Sequence, residues 1–255
     1  RPDRGIGEAA AKELAARGAK AVVLADLSES VQEVASSINK EVGREVAEGL
    51  AGDVTNEDFR RQCFDLATEK YGVPRICVPA AGITRDALAV KVDKETGIAS
   101  IYAREKFELV IDVNLLAPAY WAFEMVARIA QDRKANGLGP WNPDEGTQGS
   151  VVMIGSVSSQ GNKGQISFTA SKAGLVAVAS TMNKEAMFYG VRCAVIHPGF
   201  TDTPMVRAMG EDVIDKYVLP NTQLNRLIRT KEIADAICFL VSNSAVTGAR
   251  WAAAG

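Results

Sequence analysis

Four short apolar runs, each about as long as a β-strand, recur along the chain between segments with helical patterning. They are AKAVVLAD (19–26), RICVPAAG (75–82), GSVVMIGS (149–156) and VRCAVIHPG (191–199). Their hydrophobicity is continuous rather than alternating, which is typical of strands covered on both faces in a parallel sheet. The order of elements therefore predicts an α/β fold, a three-layer, doubly wound sandwich around a mostly parallel sheet.

Helical patterns fill the intervals between these runs. One helix is indicated by apolar residues at helical spacing, namely Val31, Val34, Ile38 and Val42. Gly43 follows them as a stop signal, because glycine accepts the left-handed conformation that ends many helices. Thr55 and Thr230 are expected to open two further helices.

The segments between helices and strands contain no linker and no internal repeat. Residues 93–100 and 133–149 look irregular, and the second is rich in Gly, Pro and Asn, so both are expected to be surface insertions. We therefore expect one domain over residues 1–255.

Composition limits the classes of function. The 255 residues are 47% apolar, and the formal net charge of −2 gives no electrostatic reason to expect nucleic acid or an anionic membrane as a partner. No apolar run approaches the roughly 18–20 residues of a membrane span, and no signal peptide opens the chain, so a cytoplasmic protein is expected. The cysteines lack CxxC spacing and are expected to be reduced core residues. With a single histidine besides, no metal site is expected.

A glycine turn near the first residue points to a ligand. Gly5, Ile6 and Gly7 precede an alanine-rich helix, and Asp26 ends the strand that follows it. Glycines at a strand-to-helix turn let a pyrophosphate approach the backbone, and the helix N-terminus supplies amide donors. A carboxylate about 20 residues later accepts hydrogen bonds from an adenosine ribose. The pattern predicts a dinucleotide site of the Rossmann type.

Two further expectations concern this site. A central strand should precede the glycine turn, and the four residues before Gly5 cannot form it, so either residues precede Arg1 or the fold is damaged. A carboxylate at Asp26 repels the 2′-phosphate of NADP, whereas Arg4 favours a phosphate. The carboxylate is the stronger indicator, and NAD is predicted ahead of NADP.

The chain resembles the short-chain dehydrogenase/reductase family along essentially its whole length. The matching motifs are RGIG (4–7), AD (25–26), GDVT (52–55), AAGI (80–83), VNLLAP (113–118), IGSVSS (154–159), SFTASKAGL (167–175) and HPGFTDTPM (197–205). Among subfamilies it looks most like the 3-oxoacyl-[acyl-carrier-protein] reductases and related hydroxyacyl or alcohol dehydrogenases. The resemblance implies hydride transfer between NAD(H) and a ketone or secondary alcohol, with a 3-oxoacyl or 3-hydroxyacyl thioester as the expected substrate.

The resemblance also implies roles for individual residues. Asn114 would hold a water in the proton relay, Ser156 would hydrogen-bond the substrate oxygen, and Lys172 would bind the nicotinamide ribose. The residues implied in cofactor binding are Arg4, Gly5, Ile6, Gly7, Asp26, Leu27, Asp53, Val54, Ala81, Gly82, Lys172, Pro198, Gly199, Phe200 and Thr203.

Phe168 stands where the family has its catalytic tyrosine. Residues 168 and 172 are four apart and share a helix face, so a phenol beside the ammonium would be a tuned acid. Three explanations are open: an engineered substitution, a natural variant with another proton route, or a protein that binds NAD without turnover. Loss of a general acid lowers rates about 10²–10⁴-fold, so we expect poor turnover. A catalytically silent dinucleotide-binding sensor or structural subunit is the alternative function.

The serine assignment is less definite than that of Lys172. Ser156 and Phe168 are twelve residues apart, one fewer than the family usually has, which leaves Ser158 and Ser159 as alternatives. The family's NNAG is replaced by PAAG (79–82), which removes asparagine contacts near the cofactor. His197 is expected to be a structural residue.

The substrate and partners are placed by the resemblance alone. A lid is expected at about 200–228, with Met205 and Met209 contacting an apolar substrate. The basic residues Arg128, Arg133 and Lys134 are candidates for contact with the acidic helix of a carrier protein. A homotetramer or dimer is implied, built from helices at about 104–131 and 168–189.

Overall fold

The computed structural model describes residues 5–248 and 250–253. The helices are α1 (Ile6–Ala16), α2 (Val31–Val42), α3 (Glu57–Tyr71), α4 (Arg104–Ile111), α5 (Ala117–Ala135), α6 (Ile166–Glu185), α7 (Pro204–Arg207), α8 (Glu211–Val213) and α9 (Thr230–Ser242). The strands are β1 (Val22–Asp26), β2 (Ala47–Ala51), β3 (Ile76–Cys77), β4 (Val90–Val92), β5 (Ala99–Ile101), β6 (Gly149–Ile154), β7 (Val191–Pro198) and β8 (Arg250–Ala253).

The strands form two parallel ladders and one hairpin. Strand β1 pairs with β2, and the second ladder has the order β3-β6-β7-β8. Within the described residues no strand joins β1 to β3. Helices cover both faces of the second ladder, so the predicted α/β fold with a parallel sheet is confirmed.

Strands β6 and β7 divide the core between their two faces. Val151 and Met153 pack in a cluster with Met125 of α5 and Leu175 of α6. On the opposite face, Val152, Ile154, Ala194 and Ile196 pack with α1 and α9, through residues that include Ala10, Ile233 and Ile237. Side chains of a strand alternate between its faces, so continuous apolar sequence is what a strand covered by helices on both sides requires.

The helix boundaries partly follow the sequence signals. Helix α2 ends at Gly43, whose φ of 71° is left-handed, so the predicted stop is confirmed. The prediction that Thr55 opens α3 is wrong by one residue. Asn56 is the N-cap, and its Oδ1 accepts the amide of Phe59 at 2.9 Å. Thr230 is the first residue of α9, as predicted.

Residues 93–100 are not the irregular insertion that composition predicts. Strands β4 and β5 pair antiparallel, with Val90 opposite Ile101. In the connecting turn, the Asp93 carboxylate accepts the amide of Thr96 at 2.8 Å. At the base of the hairpin the amide of Ala87 donates to Gly164 just before α6 at 2.8 Å. The insertion is therefore an ordered hairpin attached to α6.

Within the described residues, one continuous helical stretch, Arg104–Ala135, is long and apolar enough to cross a membrane by length and composition. It comprises α4, a π-helical turn at Asp112–Leu116, and α5. The expectation that no stretch qualifies is therefore wrong on this measure, although the core helix of a soluble protein passes the same test. Four of its exposed side chains, Leu109, Leu116, Tyr120 and Phe123, have the spacing of a single helix face.

Candidate active site

Helix α6 presents Phe168 and Lys172 on the same buried face, one turn apart. Phe168 is 9% exposed and Lys172 is 5% exposed. The Lys172 ammonium donates to the carbonyl of Ile154 at the end of β6 (2.8 Å), and its Nζ lies 5.7 Å from the centroid of the Phe168 ring. Burial lowers the pKa of Lys172 to about 8. The site thus has a cation held between a strand end and an aromatic ring.

Asn114 joins the loop after β3 to this helix. The Ile83 amide donates to its Oδ1 at 2.8 Å, and its Nδ2 donates to the Ile83 carbonyl at 2.9 Å. The same Nδ2 lies 3.4 Å from Ser171 Oγ on α6. Asn114 is fully buried and occupies the π-helical turn, a feature that often marks functional sites.

Gly82 completes this group. A Cβ added to Gly82 would lie 3.5 Å from Asn114 Oδ1 and 3.8 Å from Lys172 Nζ. A side chain at position 82 would therefore come into van der Waals contact with both polar groups, and glycine leaves that space free. Three residues that are distant in sequence meet here, as the resemblance requires.

Ser156 lies two residues beyond the end of β6, at the start of a 3₁₀ turn over Val157–Gln160. Its Oγ accepts the amide of Ser158 at 3.1 Å, and its own amide donates to Nδ1 of His197 at 3.2 Å. Thr169 of α6 donates its hydroxyl to the Ser158 carbonyl at 3.0 Å. The turn is therefore held between α6 and the end of β7.

The glycine turn lies at the start of α1, with Gly5 as its N-cap in extended conformation. Among the described residues, nothing lies within 4 Å of a Cβ added to Gly5, whereas a Cβ on Gly7 would lie 3.1 Å from Cβ of Ala80. Residues 5–248 thus leave the space above Gly5 open, and α1 packs closely on the loop that carries Gly82. Asp26 is exposed at the end of β1, and its Oδ1 accepts the Ser28 amide at 2.8 Å.

Comparison with known proteins places these features in one family. A family model described as enoyl-(acyl carrier protein) reductase matches residues 2–255. The chain is 29% identical over 248 residues to the 3-oxoacyl-[acyl-carrier-protein] reductase FabG of Escherichia coli K12, covering 96% of this chain and 89% of the relative. It is 32% identical over 254 residues to FabG of Thermotoga maritima, with the same coverage of 96% and 89%.

A solved structure agrees with the sequence relatives. The 3-hydroxyacyl-CoA dehydrogenase type-2 from Mycobacterium avium superposes with a TM-score of 0.81 at 27% identity, covering 98% of this chain and 90% of that chain. The chain belongs to the short-chain dehydrogenase/reductase family. The resemblance that its motifs indicated is confirmed, and the family is one of oxidoreductases.

The other residues assigned to cofactor binding from the motifs either hydrogen-bond to neighbouring protein groups or are exposed. The Asp53 carboxylate accepts both the amide (2.9 Å) and the hydroxyl (2.8 Å) of Thr55. The Val54 carbonyl accepts the indole N–H of Trp121 at 2.9 Å. Leu27 and Ala81 are exposed. Arg4 lies outside the described residues.

The segment after β7 holds the remaining assigned residues. Pro198 is buried, and Gly199 and Phe200 are partly buried. The Thr203 hydroxyl caps α7 by accepting the amide of Val206 at 3.4 Å. Met205 and Met209 are exposed beyond it.

His197, which the sequence predicts to be a structural residue, contacts the turn that carries Ser156. Its Nδ1 lies 2.9 Å from the Ser156 carbonyl oxygen and 3.4 Å from Ser159 Oγ. Sequence analysis does not predict this contact, although His197 stands near the end of a strand parallel to the one that Ser156 follows, and parallel neighbours end at the same sheet edge.

The carrier-protein expectation is wrong for Arg133. Its side chain is buried, and its guanidinium pairs with Glu145 at 2.6 Å and donates to the Gly139 carbonyl at 2.8 Å. Arg128 also has partners, since it pairs with Asp65 at 2.6 Å and with Glu124 at 3.0 Å.

The cysteine prediction is confirmed, because all four thiols are free and buried. Burial raises the pKa of Cys63 to about 11 and the pKa values of Cys77 and Cys193 to about 12. Thiols with raised pKa values are poor nucleophiles at neutral pH. No group of three or more His, Cys, Asp or Glu side chains suited to a metal occurs within the described part of the chain.

Proposed function

We propose that this protein transfers a hydride between a nicotinamide dinucleotide and a 3-oxoacyl or 3-hydroxyacyl thioester. The observation that carries the proposal is the meeting of Gly82, Asn114 and Lys172 at the end of β6. The relatives support the substrate class, since the names of two include 3-oxoacyl-[acyl-carrier-protein] reductase and the superposed structure is a 3-hydroxyacyl-CoA dehydrogenase.

The residues present fit a dinucleotide. The space that the described part of the chain leaves over Gly5 suits a pyrophosphate, as do the first amides of α1, which have no partner within the helix. Ile6 and Gly7 belong to this turn, Asp26 would accept the adenosine ribose hydroxyls, and Lys172 would bind the nicotinamide ribose. The residues proposed for the rest of the cofactor are Leu27, Asp53, Val54, Ala81, Gly82, Pro198, Gly199, Phe200 and Thr203.

In the reaction, the bound nicotinamide would supply the hydride. Ser156 would donate a hydrogen bond to the substrate oxygen, which gains negative charge as the hydride arrives. Lys172 would contribute positive charge at the end of β6, and Asn114 would keep the loop around Ile83 fixed to α6. Phe168 offers no proton, so this chain is expected to turn over slowly.

Restoring the phenol tests this account. Phe168→Tyr should raise NADH-dependent reduction of acetoacetyl-CoA by about 10²–10⁴-fold, because a general acid contributes that much. Phe188→Tyr, at an exposed ring just beyond the opposite end of α6 from Phe168, serves as the control and should leave the rate unchanged. A Phe168→Tyr protein with no gain on a panel of ketones, thioesters and alcohols would contradict the proposal.

Phe168 itself favours a second candidate, a dinucleotide-binding protein without turnover. Such a protein would bind NAD(H) through the same residues and serve as a sensor or structural subunit. NADH binding by calorimetry together with an inactive Phe168→Tyr protein is the result expected for this candidate, whereas a gain of activity excludes it.

We propose NAD rather than NADP as the preferred cofactor. Asp26 is exposed at the end of β1, where its charge would repel a 2′-phosphate. NADH should bind more tightly than NADPH in calorimetry, and Asp26→Ala should narrow the difference. Tighter binding of NADPH by the unsubstituted protein would overturn this assignment.

We propose that residues 200–228 form the substrate lid, with Met205 and Met209 on its substrate side. Ile214, Val218 and Leu227 form a small core of their own in this segment, and Phe200 packs against it. A segment with a separate core can move as a unit. Met205→Ala and Met209→Ala should raise KM for longer acyl thioesters more than for acetoacetyl-CoA, and an equal effect on both would count against this placement.

We propose a homodimer or homotetramer built through α4, α5 and α6. Leu109, Leu116, Tyr120 and Phe123 form an exposed apolar stripe on one helix face. Single apolar residues are normal on a protein surface, whereas a group of neighbouring ones marks an interaction surface. Light scattering should report two or four copies, and Leu116→Asp should reduce that number. A monomeric parent protein would contradict the proposal.

A further inference from the structure

His197 contacts the turn after β6 through a single ring atom. Its Nδ1 accepts the Ser156 amide at 3.2 Å, lies 2.9 Å from the Ser156 carbonyl oxygen, and lies 3.4 Å from Ser159 Oγ. All three contacts fall within four residues of the turn that carries the Ser156 hydroxyl. Within the described residues, no other side chain hydrogen-bonds to both the amide and the carbonyl of Ser156.

The backbone next to Ser156 is shaped to admit this ring. A Cβ added to Gly155 would lie 2.6 Å from Nδ1 and 2.8 Å from Cε1 of His197. Real Cβ atoms essentially never come this close to a neighbouring atom, so the imidazole occupies the space that a side chain at position 155 would need. His197 is itself 8% exposed. Ring and turn are therefore packed together without room for slippage.

The role of Nδ1 in these contacts depends on the tautomer of the imidazole. With Nδ1 unprotonated, it accepts the Ser156 amide and can accept the Ser159 hydroxyl. With Nδ1 protonated, it donates to the Ser156 carbonyl. Helix α6, which packs against this turn, carries the charged group Lys172. Its ammonium donates to the Ile154 carbonyl, two residues before Ser156.

The Ser156 hydroxyl is oriented by the same turn. Its Oγ accepts the Ser158 amide at 3.1 Å. An oxygen that accepts the amide of its own turn keeps its proton for donation to another group. The direction of that proton depends on the backbone of Ser156, and both backbone polar groups of Ser156 contact His197.

We propose that His197 is a positioning residue that aims the Ser156 hydroxyl at the substrate oxygen. This inference rests on the proposed function, because it assigns His197 a part in hydride transfer through Ser156. A displacement of about 1 Å of a reacting group can cost about 100-fold in rate. The imidazole acts on the reaction only by holding Ser156 in place.

The test is a double-mutant cycle in the Phe168→Tyr protein, with acetoacetyl-CoA and NADH as substrates. His197→Ala should lower kcat by about 10- to 100-fold and leave KM for NADH unchanged. Ser156→Ala should lower kcat by about 10²–10³-fold, as loss of an oxyanion donor does. The double variant should be no slower than Ser156→Ala alone, because His197 has no effect once the hydroxyl is gone.

Two further variants separate positioning from general stability. His197→Asn should recover most of kcat, because its amide can both donate to and accept from the Ser156 backbone. Val195→Ala removes a buried side chain from the same face of β7. It should lower the melting temperature, and its effect on kcat should simply add to that of Ser156→Ala.

Hydrogen exchange measures the contact without turnover. The Ser156 amide should exchange faster in His197→Ala than in the parent, and His197→Asn should restore slow exchange. Losses of kcat that add in the cycle, or an unchanged Ser156 exchange rate in His197→Ala, would overturn the positioning role of His197 and leave the proposed function standing. A Phe168→Tyr protein that reduces no carbonyl substrate would instead overturn the proposed function, and this inference with it.

Discussion

Replacement of Lys172 by methionine should make the protein more stable at neutral pH. The side chain is 5% exposed, and its nearest polar partner is the carbonyl of Ile154 at 2.8 Å. Burial lowers its pKa from 10.5 to about 8. Methionine has a similar length and carries no charge, so it removes the cost of placing an ammonium in this position.

The magnitude follows from the pKa difference between the folded and unfolded states. Each pKa unit corresponds to about 1.4 kcal/mol, so the depression at Lys172 costs roughly 3 kcal/mol when both states are protonated. This full cost applies below pH 8. It declines as pH rises from 8 to 10.5, where the folded state is neutral and the unfolded state still binds the proton, and it vanishes above that range.

Urea denaturation of parent and Lys172→Met at pH 7 and pH 10 measures this cost. The lost hydrogen bond to Ile154 lowers the stability of the variant by about 1–3 kcal/mol at both pH values. The free energy of unfolding of Lys172→Met minus that of the parent should therefore be about 2–3 kcal/mol higher at pH 7 than at pH 10.

The control is Lys184→Met, an exposed lysine on the same helix, which should give the same difference from the parent at both pH values. A Lys172→Met difference that does not change between pH 7 and pH 10 would refute the reasoning. It would mean that the ammonium reaches solvent or an anion in the folded protein.

Three other substitutions test contacts at the site and in the core behind it. Gly155→Ala should lower the free energy of unfolding by about 1–3 kcal/mol, because its Cβ meets the ring of His197. The loss should be smaller when His197→Ala is also present, and chemical denaturation of the two single variants and the double variant measures both effects. Asn114→Ala should cost about 2–3 kcal/mol by breaking two hydrogen bonds to Ile83 and weaken NADH binding in calorimetry, and unchanged affinity would count against its role in shaping the cofactor loop. Arg192→Met should lower the melting temperature and cost about 2–4 kcal/mol, since this buried guanidinium donates to the carbonyls of Leu240 and Val241 in α9 and of Val246 beyond it.

The local signals in the sequence were sufficient where a single chain segment decides the outcome. Three of the four apolar runs contain the strands β1, β6 and β7, because their continuous hydrophobicity needs two covered faces, whereas in the run 75–82 only Ile76 and Cys77 form a strand. Gly43 ends α2 because a left-handed residue is needed there. Phe168 and Lys172 share a face because four residues make about one helical turn.

Competing local signals were not resolved by the sequence. Thr55 and Asn56 are both good N-caps, and the side chain that reaches the amide of Phe59 is that of Asn56. The 93–100 segment contains turn residues that also suit irregular structure, so its strand pairing followed only from contact between its two arms. Arg133 lies on a helix surface in the sequence pattern, and the turn bearing Glu145 folds over it.

The sequence by itself determined the fold class and the family, because strand periodicity, glycine turns and motif order are encoded locally. The tertiary structure alone decided which side chains share an environment at the sheet edge. Lys172 became a buried cation beneath the end of β6, and His197 became the support of Ser156. Both outcomes depend on parallel strands ending side by side, and only the folded sheet brings those ends together.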